Sequence, residues 1–126
     1  MATIKESGKV NEQREPCIFV EFENGKNVEL LIDTGFNGSL CVPRSLMPEL
    51  GLKKISEEEI FGIGLHTEVV DIAIAKIVWF GQEIEIEVLI NDGDDRLLGS
   101  ELLDGKILRI NYRNKNLSIS IDKRHQ

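Results

Sequence analysis

The sequence predicts an all-β domain, a closed or barrel-like antiparallel sheet with one or two short helices. Three observations carry this reading. Short apolar, β-branched runs recur along most of the chain and several alternate with polar residues, the period-2 pattern of strands with one buried face. The breaks between runs are Asn-Gly, Gly-Gln and Asn/Lys clusters, which are turn chemistry rather than helix caps. No strand–helix–strand alternation appears, so a parallel sheet covered by helices is excluded. With 126 residues the chain has the size of one domain with a core of its own.

The elements follow in order. Residues 1–15 are polar without periodicity and read as a flexible arm, in which Thr3-Ile4 offers at most a short outer strand. The ordered domain is expected to span 16–122, with 123–126 a polar tail. "CIFVEF" and "NVELLI" flank "ENGK", a hairpin in which Asn24-Gly25 suits a tight type I′ turn; the second strand delivers Asp33 to a loop. "PRSLMPELG" reads as a short helix over Ser45 to Leu50, kept brief by Pro48 and stopped by Gly51. From Glu68 to Phe80 the chain is β-branched, "GQ" turns it, and "EIEIEVLI" places Ile84, Ile86 and Val88 on one face, leaving a wet side. "NDGDDR" is a loop, "LLG" a buried strand end, and "SELLDG" a single helical turn with Ser100 as its expected cap. "KILRINYRNKNLSISI" closes the chain as two strands around an Asn/Lys turn, with Leu117, Ile119 and Ile121 alternating.

Charge narrows the partners. Fifteen basic residues stand against 22 acidic ones, a net charge of −7, and neither sign forms a long block. That disfavours nucleic acid and anionic membrane surfaces. No apolar run approaches the roughly 20 residues of a membrane span, and "MATIKESGKVNEQREP" has no apolar segment to act as a secretion signal. The expectation is a soluble, cytoplasmic protein. Cys17 and Cys41 sit in apolar surroundings without a CxxC partner, which suggests two free thiols in a reducing compartment.

Asp33 raises the chemical question. A carboxylate at the end of a core strand is costly to desolvate unless something holds it. Here it opens Asp33-Thr34-Gly35, directly after "LLI", while Leu97-Leu98-Gly99 ends another apolar strand and is followed by a short helical turn. This pairing of motifs resembles the retropepsin-like single-domain aspartic proteases of clan AA, in particular small prokaryotic members with Phe after the glycine, over Cys17 to about Ile121. The resemblance implies an aspartic endopeptidase. In that chemistry two facing carboxyl groups share one proton, so that one deprotonates water while the other protonates the carbonyl oxygen, with no metal and no cofactor. One Asp-Thr-Gly is half a site, so the resemblance implies a homodimer with Asp33 and its mate at the two-fold axis, acting on a peptide or protein substrate.

The resemblance also assigns roles. Thr34 bonds across the dimer axis, and Gly35 lets a backbone N–H approach the carboxylates. Leu97, Leu98 and Gly99 form the structural second half of a psi-shaped crossing. Phe61, Gly62, Ile63, Gly64 and Leu65 stand where the family has its flap, a hairpin that closes over the substrate. Phe36 replaces the Ser or Ala that many members carry after the glycine, where serine bonds the outer carboxylate oxygen. The alternative function is the same barrel used as a peptide-binding or dimerisation module with little or no hydrolysis.

Other motifs carry less. Gly62-Ile63-Gly64 resembles the start of a dinucleotide fingerprint, but Thr67 stands at its third glycine and no βαβ unit follows. "NDGDD" lacks the terminal glutamate of a calcium loop, since Glu101 falls too early. His66 and His125 have no ligand partners at metal spacing, and Ser39 has no base or oxyanion motif.

Overall fold

Ten strands and three short helical segments make up the described part of the chain, residues 4–61 and 67–122 of a computed structural model. In chain order they are β1 (Lys5–Val10), β2 (Pro16–Phe22), β3 (Asn27–Ile32), β4 (Leu40–Pro43), a 3-10 turn (Arg44–Leu46) running into α1 (Met47–Leu50), β5 (Lys54–Phe61), β6 (Thr67–Trp79), β7 (Gln82–Asn91), β8 (Leu97–Leu98), a second 3-10 turn (Ser100–Leu103), β9 (Lys106–Asn111) and β10 (Asn116–Ile121). All strands join one sheet in the order β5-β6-β7-β4-β8-β3-β2-β1-β10-β9, and β6 also pairs with β2. That extra pairing closes β6, β7, β4, β8, β3 and β2 into a barrel, the expected all-β class.

The β2–β3 hairpin shows how alternation builds the core. Val28, Leu30 and Ile32 point inward from β3, and Ile18, Val20 and Phe22 do so from β2, while their neighbours face water. Each such side chain stabilises the fold by about 1.5–3 kcal/mol through burial. The turn differs from the expected type I′. Only Gly25 has positive φ, at 82°, the Gly25 N–H donates to Phe22 O at 2.8 Å and the Phe22 N–H to Lys26 O at 2.8 Å. Glu23-Asn24-Gly25 is therefore a three-residue loop of type I followed by a glycine bulge.

The β6–β7 hairpin turns one residue earlier than "GQ". Trp79 pairs with Gln82, so Phe80 and Gly81 form the turn, with φ of 54° and 76°. A bulky residue at positive φ is strained and needs support. Phe80 donates its N–H to Glu6 Oε2 at 2.8 Å, its ring meets Trp79 edge-on at 5.2 Å, and Lys106 Nζ lies 5.2 Å from the ring centre. The Trp79 indole in turn donates to Leu102 O at 3.2 Å.

Three further expectations are corrected. The polar arm contains β1, which pairs with β10 from Lys5↔Ser120 to Lys9↔Asn116 and with β2 at Lys9↔Cys17. Its backbone pairs while its side chains stay polar, which is why periodicity missed it. The sheet is not wholly antiparallel, because β3 runs parallel to β8 and β4 parallel to β7; strands rather than a covering helix make the crossover, so no βαβ signal marks it. Ser100 does not cap its turn, since Gly99 holds the cap position and no side chain bonds there. The helical segment starts one residue earlier than expected, as a 3-10 turn at Arg44, and ends as expected at Leu50, before Gly51 with φ 67°.

β10 lies between β1 and β9 and is no edge strand. Ile119 on it is fully buried, so Ile119→Ala is expected to cost about 2–5 kcal/mol in urea unfolding, the usual range for a large-to-small core change. A cost below about 1 kcal/mol would show that β10 is peripheral.

Candidate active site

β3 carries Asp33 to the centre of the crossing. Leu31 and Ile32 pair with Leu97 and Leu98, and β8 pairs on its other side with Leu40 and Cys41 of β4. Leu98 is fully buried between them. Backbone bonds stitch the loop that follows β3 to the segment that follows β8. Asp33 N–H donates to Leu98 O at 2.9 Å, Gly99 N–H to Ser39 O at 2.8 Å, Ser100 N–H to Phe36 O at 2.8 Å and Glu101 N–H to Gly38 O at 3.3 Å. Within the loop Phe36 N–H donates to Asp33 O at 3.1 Å. The backbone around Asp33 is thus tied to two strands and positioned before any ligand arrives.

Asp33 is half-buried as a residue, and its Oδ1 accepts the Gly35 N–H at 2.9 Å. A side chain at Gly35 would begin 3.3 Å from that oxygen, tight enough to disturb the contact. Thr34 and Gly35 are exposed at the surface of the loop. Phe36 turns inward instead, with its ring against two glycines: a Cβ on Gly38 would lie 2.7 Å from Phe36 Cζ, and one on Gly99 2.6 Å from Phe36 Cδ2. Gly99 is hemmed in further, since the same Cβ would meet Gly38 O at 2.1 Å and Phe36 O at 2.5 Å. Phe after the glycine is accommodated by absent side chains at both places.

Beside this loop runs a groove of about 420 Å³, lined by Gly35, Phe36, Asn37, Gly38, Ser39, Glu58, Ile60, Glu87, Leu89 and Glu101. Its size suits one or two side chains of a ligand. Sequence reading missed these residues as a set: Glu87 appeared only as part of the wet side of β7, and Glu58 lies in β5, a strand the alternation did not mark. The available signal was "FNGS" directly after Asp-Thr-Gly, a loop too small-sided to fill the space next to the carboxylate.

The remaining candidates separate. Leu97, Leu98 and Gly99 are brought next to Asp33. Phe61 ends β5 opposite Thr67 of β6; Gly62, Ile63, Gly64 and Leu65 lie outside the described residues. Cys17 and Cys41 are free, and burial pushes both thiols up. Among the described residues no helix is long and apolar enough to cross a membrane.

A closed barrel whose β3–β4 loop carries an Asp-Thr-Gly carboxylate, crossed by an aliphatic-aliphatic-Gly strand, is the retropepsin-like aspartic protease fold. Solved structures bear this out. A retropepsin-like aspartic protease from Rickettsia conorii matches with a TM-score of 0.66 over 96% of this chain and 95% of that one, at 20% identity. The EIAV protease, solved with an inhibitor, matches at 0.58 over 74% of this chain and 88% of its own, at 21% identity. The simian foamy virus protease in solution matches at 0.52 over 69% and 90%, at 22% identity. At these identities the likeness is one of fold. No protein-family model matches the chain, and no curated protein matches it.

Proposed function

We propose that the protein is an aspartic endopeptidase that works as a homodimer. The observation that carries this is the Asp33 carboxylate, held at Oδ1 by the Gly35 N–H on a loop tied to β8 inside a retropepsin-like barrel. Each chain supplies one such carboxylate. Brought together across a two-fold axis, two of them cannot both ionise, so the pair shares a proton. The ionised member takes a proton from water, the hydroxide formed attacks the peptide carbonyl carbon, and the protonated member gives its proton to the carbonyl oxygen. Collapse of the tetrahedral intermediate breaks the C–N bond and returns protons through the same dyad to the leaving amine.

The other residues then have defined parts. Thr34, exposed beside Asp33, would bond to the partner loop, and Gly35 would keep its N–H on the carboxylate. Leu97, Leu98 and Gly99 are structural. Phe61 to Leu65 would cover an extended peptide lying against the sheet as an added strand. The partners in this reading are a second copy and a peptide or protein substrate, with neither nucleic acid nor membrane involved. Two free thiols fit a reducing, cytoplasmic setting.

The dimer surface would not use the edges of β10, because both are paired within the chain. The outer edge of β9, at the end of the sheet, is the strand edge open near the termini. Dilution tests the assembly: specific peptidase activity should fall as protein concentration drops through the dimer dissociation constant measured by sedimentation, because the monomer holds half a site. A specific activity that stays flat well below that constant would overturn the shared dyad.

A further inference from the structure

We propose that the groove beside the Asp-Thr-Gly loop is a subsite for a lysine or arginine side chain of the substrate, giving the enzyme a basic-residue preference. This rests on the peptidase reading and adds to it the class of substrate. The groove has an apolar part made by Phe36, Ile60 and Leu89, each half-buried. Around it stand three carboxylates from three different elements: Glu58 from β5, Glu87 from β7 and Glu101 from the turn after β8. Among the described residues no lysine or arginine lines the groove. None of the three glutamates has an ion-pair partner among the described residues, whereas Glu57, Asp71 and Asp92 elsewhere on the surface are paired with Lys54 or Arg44.

Ser39 adds an independent observation. It is only 3% exposed and lines the same groove. None of the side-chain hydrogen bonds among the described residues uses its hydroxyl, and that oxygen is not one of the fully buried ones, Asn91 Oδ1 being the buried side-chain atom without a partner among them. The hydroxyl of this otherwise buried side chain lines the groove beside the three carboxylates and can accept a hydrogen bond from a donor placed there. The three carboxylates stand around an apolar floor, an arrangement that suits an extended cation with an aliphatic stem. Lysine and arginine combine an aliphatic stem, which suits Phe36, Ile60 and Leu89, with a donor-rich cationic head. An acidic side chain would be repelled there, and a purely apolar one would leave Ser39 and the carboxylates without partners.

Two measurements test this. In the first, a mixture of proteome-derived peptides is digested and the cut sites are read by mass spectrometry, for the wild type and for a Glu58→Gln, Glu87→Gln, Glu101→Gln triple variant. One position near the cut should be enriched several-fold in lysine and arginine. The triple variant should reduce that preference about tenfold, the combined scale of three partly exposed charge contacts, and added salt should weaken it in the wild type. Asp33-dependent cleavage with no such enrichment, or with one the triple variant leaves intact, overturns the subsite. The second measurement needs no turnover. Amide spectra of Asp33→Asn protein are recorded with millimolar N-acetyl-lysine methylamide and with its norleucine counterpart. Phe36, Gly38, Ser39 and Leu89 should shift with the lysine probe alone, and not in the fourfold variant that adds the three glutamines, whose own spectrum reports its fold. Equal shifts from both probes, or none, overturn the proposal even if no peptide is ever cleaved; failure of cleavage alone overturns the peptidase reading.

Discussion

Asp33→Asn is expected to lower peptide hydrolysis at least about a hundredfold, the lower end of what a positioned acid–base group supplies. Asparagine keeps the shape of the side chain and an oxygen able to accept the Gly35 N–H, so the 2.9 Å contact survives. What disappears is the shared proton: an amide neither deprotonates water nor protonates a carbonyl oxygen at any working pH. Because the backbone bond from Asp33 to Leu98 O does not involve the side chain, the unfolding midpoint should stay close to that of the wild type. Initial rates on a peptide substrate, taken beside a thermal melt, check both halves. Retention of more than about a tenth of the activity in a preparation free of contaminating protease would end the aspartic-protease reading.

Gly99→Ala should be the most disruptive small change in the molecule. The added methyl would stand 2.1 Å from Gly38 O and 2.5 Å from Phe36 O, and both obstacles are backbone atoms in the loop stitched to this segment. Relief requires the loops to part, which breaks the bonds from Gly99 to Ser39 and from Ser100 to Phe36. The expected cost is about 3 kcal/mol, the upper end for an overpacked site, or about 10 °C in Tm for a domain of this size. Activity should fall with it, because the same loop carries Asp33. Gly93→Ala is the control: its methyl would reach only 3.4 Å from Asn91 Oδ1, an ordinary contact, and should change stability by no more than about 0.5 kcal/mol. Equal melting temperatures for the two variants would show that the crossing yields where its geometry says it cannot.

Alternation found the strands that bury one face. β2, β3 and β7, and β10 at Leu117 and Ile119 but not at Ile121, present inward residues at every second position because the pleat sends successive side chains to opposite sides. β5 shows the limit of that signal. Its "KISEEEIF" has no buried position from Lys54 to Glu59 and is a strand only because β6 pairs with it from Lys54↔Ala73 to Phe61↔Thr67. β1 is similar, since its pairing needs Gly8, where a Cβ would stand 2.2 Å from Cys17 O, more than any apolar side chain. Turn type was also misread where glycine was right but its neighbour was not: Asn24 keeps negative φ, while Phe80, an unlikely residue for the left-handed region, adopts it because Glu6, Trp79 and Lys106 hold it there.

By itself the sequence determined the all-β class, the hairpins, the short glycine-stopped helix, and the pair of motifs around Asp33 and Gly99, since these depend on local periodicity and on residue types that a turn or a close approach demands. Tertiary structure alone decided that the sheet closes through β6 and β2, that β8 runs parallel to β3, and that β10 is enclosed rather than left as an edge. It also decided which glutamates face one groove. Such facts depend on which distant segments meet, and backbone hydrogen bonds between strands carry no sequence preference strong enough to name their partner.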